Sequence, residues 1–176
     1  MGSIEQAVVD HFAEAGVHYE HHEERSLLLA PFSLHSGQVL LVCNCEEENE
    51  RLIVNALYPF RVPANRLAAV AEFFRRTNYG LGIGAFRLDY RDGECSFRCG
   101  IDVEGDRLTP PLVRMLVGCS LAMADRYYTG LAAVAFGGIS PVQALAAAET
   151  TARPASMSAD WMTLRGLTMD PQDRLN

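Results

Sequence analysis

The chain has 176 residues, of which 49% are hydrophobic and 21% charged, and its formal net charge is −7. That balance describes one soluble globular domain, and the acidity argues against phosphate backbones and anionic lipid, so neither nucleic acid nor membrane is expected as a partner. All 15 basic residues are arginine. The lack of lysine excludes Schiff-base chemistry, the P-loop phosphate lysine and the kinase strand lysine.

In residues 3–15, Ile4, Val8 and Phe12 recur every four positions, which predicts a short amphipathic helix ended by Gly16. The same segment lacks the continuous apolar core of a secretory signal. With five cysteines, an odd number, the expectation is reduced thiols in a cytoplasmic protein. The connector bearing His18, His21 and His22 reads as a solvated loop, without the spacing of a metal motif.

Three strands follow, at 26–35, 38–46 and 51–60, separated by polar turns at Ser36-Gly37 and at 46–50. Short β-rich runs with tight polar turns predict an antiparallel meander. Pro63 opens a second helix, on which Leu67, Val70, Ala71 and Phe74 form one stripe. Asp92-Gly93 is a hairpin signal between two further strands, 85–90 and 95–103.

Thr109-Pro110 starts a long helix that runs to Phe136, and Ser140-Pro141 starts another. The long apolar region is interrupted by Asp125-Arg126 and does not suit a bilayer. The order predicts an α+β domain over 1–139, with a five-stranded antiparallel sheet and helices packed on one face. An additional helix at 140–152 and a flexible tail at 153–176 complete the chain.

Gly80, Gly82 and Gly84 fall on alternate positions of "NYGLGIGAF". A phosphate-binding glycine motif follows a strand and opens a helix, whereas here a helix precedes and a strand follows. On an extended backbone the three glycines would leave one strand face bare, for close packing or partner docking.

Cys43 and Cys45, like Cys95 and Cys99, are expected to be buried as small apolar side chains rather than as zinc ligands. No G-x-S-x-G elbow or calcium-loop spacing occurs. The expectation is therefore no catalytic residue, no cofactor and no metal.

The long helix is apolar around most of its girth. Leu112, Leu116, Cys119, Met123, Tyr127 and Leu131 form one stripe, and Val113, Val117, Leu121, Tyr128 and Ala135 cover much of the rest. Such a helix needs cover on more than one flank, from the chain's other helices or from a second polypeptide. Met123, Tyr127, Tyr128 and Leu131, together with Gly80, Gly82 and Gly84, are the candidate partner or dimer interface. An alternative is a small-ligand sensor with a pocket between sheet and helices lined by Tyr127, Tyr128, Phe86 and Phe97.

Three stretches, "VPANRLAAVAEFFRRTN", "GAFRLDYRDGECSFRCGIDV" and "LTPPLVRMLVGCSLAMADRYY", resemble the YbjN family, as does the α-βββ-α-ββ-α element order. The resemblance implies the fold of type III secretion chaperones. It also implies a non-enzymatic, often dimeric, chaperone-like module that binds a protein or peptide client, in a family labelled as bacterial sensory-transduction regulators. An exposed sheet edge beside hydrophobic grooves would suit that role.

Overall fold

The computed structural model of the protein describes residues 1–150. The expected tail at 153–176, and the end of the 140–152 helix, lie outside the described residues. The chain begins with α1 (Ser3–Ala15), whose inward face carries Ile4, Val8 and Phe12, and Gly16 ends it in the left-handed conformation. Its N-terminus has no local cap. Instead the carboxylate of Glu47, from a distant turn, accepts the amides of Ile4 at 3.2 Å and Glu5 at 2.8 Å. The acidic turn at 46–50 thus supplies the negative charge that a helix start favours.

Six strands form one antiparallel sheet: β1 (Glu20–His22), β2 (Leu27–Ser33), β3 (Gln38–Glu46), β4 (Arg51–Arg61), β5 (Ala85–Leu88) and β6 (Glu94–Asp102). Their spatial order is β1-β2-β3-β4-β6-β5. The meander, the hairpin and the α+β class agree with expectation, and the extra strand is β1. It arises in the histidine connector, where polar residues gave no apolar signal, and pairs Glu20 to His22 with Leu29 to Leu27. Its middle residue, His21, points toward the helices and contacts the buried Glu5 carboxylate. His21 is therefore built into the fold rather than solvated.

α2 (Leu67–Tyr79) begins after a 3-10 turn, Ala64–Arg66, and buries Val70, Phe73, Phe74 and Thr77. The stripe sits slightly further round than the sequence suggests, with Phe73 inside and Ala71 half-buried. α3 (Pro110–Ala135) has Thr109 at its start with an extended backbone, but the threonine hydroxyl makes no capping bond. α4 (Pro141–Thr150) is held by a reciprocal cap: Ser140 Oγ accepts the Gln143 amide at 3.3 Å, and the Gln143 side chain accepts the Ser140 hydroxyl at 2.8 Å.

Among the described residues the four helices lie on one face of the sheet, and the core lies between. Leu28, Ala30 and Phe32 of β2 and Leu41, Cys43 and Cys45 of β3 join it with Val54 and Ala56 of β4 and Phe97 of β6. Each fully buried leucine or phenylalanine there contributes about 1.5–3 kcal/mol. α3 crosses this layer. Tyr58 on β4 donates to the Ala124 carbonyl at 3.0 Å, the Ser36 amide donates to Asp125 at 2.7 Å, and Arg66 caps the helix end through the Val134 carbonyl at 2.8 Å. α1, α2 and α4 pack along its remaining flanks. Most of its apolar girth is covered by the chain's own elements.

Candidate functional site

The glycine stretch is not a strand. Residues 80–84 form a loop, and β5 starts only at Ala85. The loop's exit is fixed by Asn78, whose side-chain amide donates to the Phe86 carbonyl at 3.0 Å and whose carbonyl accepts the Phe86 amide at 2.8 Å. Gly84 has φ +72°, and a Cβ there would lie 2.5 Å from Phe97 and 2.8 Å from the Arg98 carbonyl, so glycine is required. Gly82 faces open space and Gly80 meets nothing closer than 3.8 Å. The bare strand face expected from their spacing does not exist, because the chain never becomes extended there.

The α3 candidates divide. Leu131 is fully buried, and Tyr127 is buried against Phe86 at 5.3 Å between ring centroids. Met123 and Tyr128 are half-buried. Tyr128 lies edge-on to Tyr58 at 5.3 Å and Phe60 at 5.9 Å, over Gly37, where a Cβ would come within 2.3 Å of its ring. Phe86 and Phe97 meet at 5.0 Å. These rings pack on one another between sheet and helices.

The other face of the sheet is different. Strand pairing aligns three rows across it. One runs Leu27, Asn44, Ile53, Gly100; the next Leu29, Val42, Asn55, Arg98, Ala85; the third Pro31, Leu40, Leu57, Ser96, Arg87. Leu27, Leu29, Leu40, Val42 and Leu57 are only half-buried and stand apart from the core cluster. Among the described residues no helix packs on this face.

The signal for it is present in the sequence. An antiparallel strand covered on one side alternates apolar and polar residues, whereas a continuous apolar run marks a strand buried on both. "LLLAPF" in β2 and "VLLV" in β3 are continuous runs. Tight turns identified them as strands, but the missing alternation also implies a second covered face.

At the hairpin end of this face a concavity of about 410 Å³ opens beside β4, β6 and β5, lined in part by Val42, Asn55, Leu57, Arg87, Tyr90 and Ser96. Elsewhere, four cysteines are buried and all five are free. Burial pushes the Cys45 and Cys95 thiols up to about 12. Cys99 lies against α3, with Sγ 3.4 Å from the Leu116 carbonyl and 3.1 Å from Ser120 Oγ. Interaction with Cys99 lowers the half-exposed Cys119 thiol to about 7, while Cys99 itself is raised. Cys119 is a chemically distinct group that the sequence presents only as one more apolar helix position. Among the described residues, no three of histidine, cysteine, aspartate and glutamate converge as a metal site, and no helix is long and apolar enough to cross a membrane.

These features define an α+β domain with one helix-covered and one open sheet face. Residues 6–133 match the family model YbjN, described as "Putative bacterial sensory transduction regulator", and the chain belongs to that family. No curated protein matches the sequence.

Proposed function

We propose that the chain is a non-enzymatic regulatory module that binds another polypeptide through the open face of its sheet. Its first occupant is a second copy of itself. The observation that carries this reading is the pair of continuous apolar runs in β2 and β3, which turn Leu27, Leu29, Leu40 and Val42 away from the core. The area suits a dimer. Strands about 4.8 Å apart and about seven residues long give a footprint on the order of 500 Å², comparable to a standard interface of ~800 Å² of accessible surface per partner.

The reading moves the interface from α3, whose Tyr127 and Leu131 are committed within the chain, to the sheet. It also favours the face over the sheet edges. β1 has three residues and β5 four, so each offers few free backbone groups for an added strand. The family's description as a regulator supports a binding role, and five unpaired thiols support a cytoplasmic one.

A dimer is stabilised by mass action, so its melting temperature rises with protein concentration between about 1 and 100 µM. Leu29→Glu places a charge in the middle row and removes that rise. A wild-type melting temperature that is independent of concentration contradicts the reading.

A further inference from the structure

We propose that the concavity at the hairpin end of the open face is a binding site for a small amphipathic anion, an aromatic or branched aliphatic carboxylate. The site goes beyond the polypeptide reading, although both rest on the sheet face being open. Its volume, about 410 Å³, falls in the range of small-molecule pockets. Val42, Leu57 and the Tyr90 ring supply apolar walls.

Among the described residues, the Asn55, Ser96 and Arg87 side chains of the lining are uncommitted, whereas its Asp89 and Glu94 carboxylates are held in ion pairs. Ser96 is 6% exposed and lines the concavity; among the described residues its hydroxyl makes no hydrogen bond, and it is not among the fully buried unpaired atoms. The Asn55 amide likewise makes no hydrogen bond. A half-buried face that leaves such groups unpaired loses their hydrogen bonds unless a ligand or water restores them.

The charge at the site is set by which groups are already neutralised. Asp89 is held by Arg91 at 2.6 Å, and Glu94 by Arg61 at 2.9 Å. Arg87 feels the Asp89 charge but, among the described residues, makes no hydrogen bond or ion pair. It stands opposite Ser96 in the strand pairing, and Arg98, outside the lining, is its diagonal neighbour on the same face. The Arg87 guanidinium, beside a serine hydroxyl and a carboxamide, can recognise a carboxylate, for which arginine's planar fork is suited. The apolar walls then take the rest of the ligand.

The test uses the full chain and two fluorescent probes of the same ring system: anilinonaphthalene sulfonate, which is anionic, and N-phenylnaphthylamine, which is neutral. The anion is expected to bind at one site per chain, and Arg87→Ala to weaken it about tenfold. Arg87→Lys should retain most of the affinity, and the neutral probe should not respond to either change. Equal weakening of both probes by Arg87→Ala overturns the proposal. So does anion binding that survives Arg87→Ala but is abolished by Leu29→Glu, a result that would leave the polypeptide reading standing.

Discussion

Asn78 and Phe86 are joined by two hydrogen bonds, in which the side-chain amide of the last turn of α2 replaces a neighbouring strand for the backbone of β5. Phe86 faces Phe97 across the sheet, and both its backbone polar groups turn outward to Asn78, as in a non-hydrogen-bonded antiparallel pair. Asn78→Ala therefore leaves two part-buried backbone groups unpaired and is expected to cost about 1–3 kcal/mol. Denaturant unfolding measures the loss, and hydrogen exchange locates it at the Phe86 amide. Unchanged exchange there would show that the contact does not hold the edge strand.

Glu47 acts at a similar distance from its own element. Its carboxylate takes the Ile4 and Glu5 amides in the first turn of α1, more than forty residues earlier in sequence. Glu47→Ala should destabilise by about 1–2 kcal/mol, in the range of a lost helix cap, whereas Glu48→Ala, a neighbour in the same turn without this role, should stay within about 0.5 kcal/mol. Equal effects of the two variants would reduce Glu47 to general turn charge.

His11 is buried on α1, and its Nε2 has no hydrogen-bond partner among the described residues. Burial first, and then the Arg114 charge, lowers its pKa below the ordinary 6.5. A base whose folded pKa is depressed contributes stability above its unfolded pKa and loses it as pH falls through the folded value. Unfolding free energy should therefore decline as pH drops below about 6.5. His11→Gln should flatten that part of the profile, and an unchanged slope would assign it to other groups.

Cys119 is expected to be the most reactive thiol. With its pKa lowered to about 7, first by its interaction with Cys99, its alkylation by iodoacetamide should rise through neutral pH, because the thiolate is the nucleophile. Cys45 and Cys95, raised to about 12, should remain unmodified in the folded chain. Mass mapping of alkylated peptides against pH checks both points. Cys99→Ala removes the neighbouring thiol and should move the Cys119 midpoint upward.

The parts of the fold written in local pattern were legible. The meander turns, the hairpin at Asp92-Gly93 and the helix carrying Val113, Leu116 and Val117 follow from periodicity and turn chemistry. What covers α3 was not, because Phe12, Phe73 and Ala144 reach the same core from segments far apart in sequence. The alternating glycines misled because alternate spacing has meaning only on an extended backbone, and Gly84 with its positive φ breaks that backbone. β1 was hidden because its three polar residues gain their strand conformation from pairing with Leu27 to Leu29. The open face could have been found in "LLLAPF" and "VLLV", where the absence of alternation carries the information.

Light-scattering mass at micromolar concentration, compared between the wild-type chain and Leu40→Asp, tests the central claim most directly. Leu40 lies in the third row between Pro31 and Leu57, outside the core cluster, so its replacement should leave the fold intact. The account predicts a wild-type mass near twice that of one chain and a folded Leu40→Asp monomer. A monomeric wild-type chain, or a Leu40→Asp variant that still pairs, would contradict it.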